Sequence, residues 1–142
     1  MEKITFVDNV TKANADTFNT MQDNIEDAIE EKQTYSTEEQ VIGTWTNGKP
    51  LYRKVISTTL PNGSTDIVVA NNIQIMFLDK GYFNAPSGSN NRYFTLPFIN
   101  DSQQRVLGWS LPSTNSFHLV NEISSYNGYT CYLIMLYTKT TD

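Results

Sequence analysis

From about residue 38 to its end the chain is patterned with a period of two, and this limits the possible folds more than any other feature. Eight short runs, QVIGTWT, PLYRKVIST, TDIVVA, IQIMFLD, RYFTLPFI, RVLGWSL, SFHLVNEI and YTCYLIMLYT, are rich in β-branched and aromatic residues. Such side chains pack well on a pleated, half-buried surface. Turn chemistry separates the runs: Asn47-Gly48, Pro61-Asn62-Gly63, Asn71-Asn72, the stretch from Pro86 to Asn91, Asn100-Asp101, the stretch from Pro112 to Asn115, and Asn127-Gly128. With no second helical period, the pattern predicts a mainly β fold, an antiparallel β-sandwich of jelly-roll-like character. The last run, from Tyr129 to Tyr137, is apolar at nearly every position. It predicts a central strand covered on both faces, by two sheets of its own domain or by one sheet and another subunit.

The first part of the chain is different. Residues 1–39 hold ten acids and three bases, a net charge of −7, whereas the rest carries +2. This change places a boundary near residue 40, between a segment 1–37 and a head domain 38–142. Within the segment, Asn14 is an N-cap candidate, and Phe18, Met21, Ile25 and Ala28 follow at helical spacing with Ile29 beside them. The stripe is about two heptads long. Its flanks carry acids at i,i+4, which repel, and isolated helices of ~12–15 residues or fewer are marginal in water. The helix therefore needs a partner, either its own domain or another copy. Upstream, KITFV reads as a short strand or an extended lead-in, and Ser36-Thr37-Glu38-Glu39 has the spacing of a capping box that could start one helical turn.

The inventory narrows the chemistry. One cysteine, Cys131, excludes an intramolecular disulfide and multi-cysteine zinc sites, and one histidine, His118, removes the usual Cys/His metal clusters. No metal or cofactor is expected. No apolar run approaches the ~18 residues of a spanning helix, and the start MEKITFVDNV lacks the apolar core of a signal peptide, so a soluble chain without membrane insertion is expected. A net charge of −5 argues against nucleic acid as a partner. No catalytic constellation assembles: His118 reads as a hydrogen-bonded strand histidine, Cys131 as a buried thiol, and acids such as Asp79 and Glu122 as solvated carboxylates, although two carboxylates are all a glycosidase needs.

Aromatic and amide-rich loops remain as candidate binding surfaces. Aromatic faces stack on the C–H faces of sugars while amides bond the hydroxyls. Tyr82, Asn84, Asn90, Asn91, Arg92 and Tyr93 form one such group, and Tyr126 with Asn127 another. Trp45, in GTWTNGKPLY, sits beside the strongest hairpin signal in the chain. A two-residue type I′ loop at Asn47-Gly48 would place it opposite Pro50, on one face with Gly43 and Tyr52.

Two stretches carry a resemblance. NADTFNTMQDNIEDAIEE resembles a segment that recurs in bacteriophage tail-associated proteins ahead of receptor-binding or fibre domains, and STEEQVIGTWTNGKPLYRKVI is similar to a module at the distal ends of phage tail fibres and related virion appendages. The final LYTKTTD is also similar to the ends of such chains. Together these cover roughly residues 14 to 56 and the last seven. The resemblance implies a homotrimer with a helical neck and a β-sandwich head, located on the virion, attached to other virion proteins through its N-terminal segment, and bound to host surface glycan. A capsid-decorating head fibre and a glycan-degrading tail enzyme are the alternatives. It also implies an oligomer interface at Phe18, Met21, Ile25, Ala28 and Ile29, and favours packing over sugar stacking for Trp45.

Overall fold

The computed structural model describes residues 15–142, with the side chains of residue 15 and residues 28–33 outside the description. The chain divides into two compact units, Met1–Tyr35 and Ser36–Asp142. In the first, helix α1 spans Ala15–Gln33. Its stripe residues Phe18, Met21 and Ile25 are 59%, 37% and 56% exposed, so the apolar face of the helix is largely uncovered. Thr20 Oγ1 donates to the Asp16 carbonyl at 3.0 Å, and Gln22 Nε2 donates to Glu26 at 2.8 Å. The Asn14 cap, the KITFV segment and the side chains of Ala28 and Ile29 lie outside the described residues.

The second unit is mainly β, built of two antiparallel sheets. Its strands are β1 (Gln40–Thr44), β2 (Pro50–Thr59), β3 (Gly63–Val68), β4 (Ile73–Asn84), β5 (Tyr93–Thr95), β6 (Phe98–Ile99), β7 (Arg105–Leu111), β8 (Ser116–Asn121) and β9 (Thr130–Lys139). The five-stranded sheet runs β1-β2-β9-β4-β5 and the four-stranded sheet β3-β8-β7-β6. The doubly apolar last run is thus the middle strand of the larger sheet. The core lies between the sheets, where Cys131, Leu133, Met135 and Tyr137 of β9 join Phe83, Val106, Phe117 and Leu119 in one buried cluster.

Two local expectations fail. The run RYFTLPFI is two strands, because β5 pairs with β4 in one sheet and β6 with β7 in the other. Pro97 lies between them and has no N–H to continue a ladder, so the chain changes sheets there. Phe94 before it and Phe98 after it still pack together, with ring centroids 4.6 Å apart. Nor does Ser36-Thr37-Glu38-Glu39 form a helical turn. Ser36 Oγ accepts from the Glu38 N–H at 3.0 Å, a local side-chain turn that competes with a helix start, while the Ser36 carbonyl accepts from Val55 N–H at 2.9 Å.

Candidate functional site

Side chains directly paired across a sheet share a face. The register of β9 with its neighbours therefore maps the outer face of the five-stranded sheet, the face turned away from the core. Ile134 and Leu136 are each 9% exposed yet stand outside the core cluster, which places them on that outer face. Leu136 pairs with Arg53 and Phe77, Ile134 with Val55 and Lys80, and Thr138 with Ile75. This half of the face is mainly apolar, with Arg53, Lys80 and Thr138 set among the apolar side chains. Further along the same strands Tyr132 pairs with Ser57 and Tyr82, Tyr82 with Thr95, Thr59 with Thr130, and Asn84 with Tyr93. This half consists of phenols, hydroxyls and amides.

Trp45 belongs to the apolar half. Its ring is tilted against Phe77 with centroids 5.4 Å apart. The hairpin that positions it differs from the sequence expectation. Trp45 N–H donates to the Lys49 carbonyl at 2.8 Å and Gly48 N–H to the Trp45 carbonyl at 2.9 Å, so the loop holds three residues. Gly48 alone in this loop has positive φ, +83°, which is the left-handed position of a three-residue hairpin and not the paired positive φ of a type I′ turn. Asn47 Oδ1 fixes the bend by accepting from Lys49 N–H at 3.0 Å. With three loop residues, Thr44, not Trp45, pairs with Pro50 and Gly43 with Leu51, and a bulge between Val41 and Gly43 shifts the register only beyond them.

The polar half gathers most of the first loop group. Tyr82 contacts both Tyr93 (6.3 Å, edge-on) and Tyr132 (5.3 Å, tilted), and Tyr93 is 61% exposed. Asn84 Nδ2 donates to Asn91 Oδ1 at 3.2 Å. Asn90 exchanges backbone bonds with Ser87 to close the loop, and Arg92 Nε donates to the Ala85 carbonyl at 3.3 Å with its guanidinium over the Phe94 ring. Tyr126 and Asn127 do not join this surface. Tyr126 packs against Phe83, Phe94 and Phe98 on the core side of β4 and β5, and Asn127 Oδ1 accepts from Asn121 Nδ2 at 2.9 Å. Tyr132, which sequence reasoning passed over, completes the patch. Its place opposite buried Cys131 and Leu133 in the alternation of β9 was the available signal.

No family model, curated protein or solved structure matches this chain.

The titratable groups fall into four sets. Around the start of β1, Glu39 accepts from Tyr137 Oη at 2.7 Å and pairs with Lys139 at 2.6 Å, while Tyr52, stacked on Tyr137, donates to Asp142 at 2.6 Å. The Asp142 hydrogen bond, with burial second, pushes the Tyr52 phenol up to about 12, and burial together with Glu39 raises Tyr137 as well. These bonds strap the chain before β1 to the last strand. Cys131 is buried, and desolvation pushes its thiol up to about 12, away from a reactive thiolate. Glu122 is held by Arg105 at 2.7 and 3.1 Å, and that hydrogen bonding lowers its carboxyl below the usual value. A general acid needs a shift in the opposite direction. His118 Nδ1 bonds Asp66 Oδ1.

Proposed function

We propose that this chain is a bacteriophage virion structural protein, a homotrimeric appendage with a helical neck and a β-sandwich head that adheres to cell-surface carbohydrate. The division of one sheet face into two chemistries carries this reading. An antiparallel sheet that meets water on one side is expected to be polar there. Here Phe77, next to the buried Ile134 and Leu136 and bordered by Arg53 and Lys80, supports a seat for a neighbouring copy beside Trp45, a residue type enriched at interface anchors. The other half, with Tyr82, Tyr93, Tyr132 and Asn84, offers aromatic faces and amides suited to sugar rings.

The exposed stripe of Phe18, Met21 and Ile25 supports self-association of the neck. The proposed role is adhesion without hydrolysis, consistent with Glu122 being kept ionised by Arg105. Multi-angle light scattering together with a host-glycan array tests both parts. A trimer at micromolar concentration that retains wall polysaccharide is the expected result. A monomer would remove the neck and the interface together, and a blank array would remove the ligand.

A further inference from the structure

The four-stranded sheet carries a surface that this reading does not use. Asp66 of β3 pairs with His118 of β8, and His118 pairs with Trp109 of β7, so the three lie in one cross-strand row. Phe117 and Leu119 on either side of His118 are buried in the core, so the row faces outward. Asp66 Oδ1 bonds His118 Nδ1, and the imidazole lies 4.4 Å from the indole centroid, tilted by 36°. Trp109 is 48% exposed. On its other side β6 pairs with β7 only at Arg105 and Val106, so among the described strands nothing flanks Trp109 there. The indole is supported on one side and open on the other.

The backbone behind it cannot shift easily. A Cβ at Gly108 would lie 2.4 Å from Phe117 Cε1 and 2.5 Å from the His118 carbonyl, so β7 and β8 are in close contact immediately before Trp109. One exposed tryptophan is ordinary on a sheet surface. An indole held in a fixed pose beside a carboxylate and an imidazole is a more specific arrangement. Among the described residues neither Asp66 Oδ2 nor His118 Nε2 has a hydrogen-bond partner, which leaves one carboxylate oxygen and one ring nitrogen for a ligand.

We propose that Trp109, His118 and Asp66 form a saccharide-binding site on the outer face of the four-stranded sheet. One ring lies with its C–H face on the indole, its hydroxyls bond to His118 Nε2, and a hydroxyl of the next ring donates to Asp66 Oδ2. Two strand spacings separate Trp109 from Asp66, roughly 10 Å, which is too far for one ring to span and suits a disaccharide or longer. The same outer face exposes Val68 and Ile99, and it is the carboxylate of Asp66 and the imidazole of His118 beside the indole that argue for a saccharide over an apolar protein face. The site shares only its ligand class with the function proposed above, since the Tyr82, Tyr93 and Tyr132 patch lies on the other sheet.

The chain has two tryptophans, Trp45 and Trp109, so the indole resonances of the full-length protein labelled with 15N-tryptophan distinguish this surface from the apolar half of the larger sheet. Maltose, lactose and chitobiose are titrated separately into the millimolar range. Saturable movement of the Trp109 indole with at least one probe is expected, with Trp45 unmoved, loss of the response in Trp109→Ala, affinity about tenfold weaker in Asp66→Asn, and no change in Tyr93→Ala. No saturable Trp109 response to any of the three, or unaltered affinity in Asp66→Asn, overturns the site. If Tyr93→Ala alone abolishes binding, this inference fails while the adhesion reading stands. If Trp109 moves with protein concentration in the absence of sugar, a second copy covers it and the site is wrong.

Discussion

Phe83 and Tyr93 test the assignment of faces on which the functional map depends. Phe83 is 0% exposed, and its ring lies 5.5 Å from Phe94, 5.6 Å from Phe98 and 5.5 Å from Tyr126. Those partners come from β5, from β6 in the other sheet, and from the 3-10 turn Ser124–Tyr126. Phe83→Ala leaves a cavity walled by separate elements, each held by its own hydrogen bonds, so little collapse is available. The cost is then about 3–5 kcal/mol, a large part of the 5–15 kcal/mol of an ordinary domain. At roughly 4–8 °C per kcal/mol the unfolding midpoint should fall by on the order of 20 °C. Tyr93 neighbours Phe94 in sequence but points to the opposite face, and its edge contact with Tyr82 is worth less than about 1 kcal/mol. Thermal unfolding followed by far-ultraviolet circular dichroism, at one fixed protomer concentration, compares the two variants. Equal losses would show that Tyr93 is packed in the core and that no separate aromatic surface exists.

Other substitutions probe the remaining contacts. Gly108→Ala should cost about 1–3 kcal/mol or more, because its Cβ would overlap the buried Phe117 ring and a backbone carbonyl, whereas Gly43→Ala, with nothing within 4 Å, should stay within about 0.5 kcal/mol in urea titrations. Trp45→Ala should raise the concentration at which the assembly dissociates by about tenfold in sedimentation equilibrium, with glycan affinity per protomer unchanged; unchanged association would free Trp45 from the interface. Glu122, whose carboxyl is lowered by Arg105, should titrate below the usual value of 4.5 in carbon-detected NMR, and Arg105→Ala should return it upward. Because the folded value is the depressed one, the pair stabilises above the ordinary carboxylate range and loses its contribution as pH falls through the lowered value.

The sequence carries period-two signals that persist over several residues. It therefore indicated the mainly β class and the central position of the last strand, where Leu133 and Met135 face the core and Ile134 and Leu136 face outward. Single-residue insertions are harder to read. Asn47-Gly48 suits a two-residue loop and a three-residue loop equally well, yet the loop length decides whether Trp45 or Thr44 pairs with Pro50, and the bulge between Val41 and Gly43 leaves no mark in composition. RYFTLPFI reads as one run although proline cannot sit inside a paired ladder, and nothing in it shows that its two halves enter different sheets. Long-range pairing was unreadable for another reason. Tyr82 beside Tyr132, or Asp66, His118 and Trp109 in one row, are consequences of register between strands distant in sequence, and no local pattern records register.

The two sheets differ in a way that orders the proposed roles. The outer row of the four-stranded sheet is interrupted by Asp66 and His118, and Trp109 stands largely open. The five-stranded sheet alone buries aliphatic side chains on its outer face, at Ile134 and Leu136. Ile134 and Leu136 are already buried within one copy, so a neighbour on that second surface would gain apolar area mainly from Phe77 and Trp45, while docking on the first would cover the exposed Val68, Ile99 and Trp109 but desolvate a carboxylate and an imidazole with no new partner for either. The association proposed through the larger sheet would leave Trp109 and its row uncovered. Tyr93, on the edge strand β5, pairs with Asn84, at the other end of β4 from Phe77, and would stay outside a contact centred on Phe77 and Leu136. A contact so placed would keep both proposed aromatic surfaces available to a ligand.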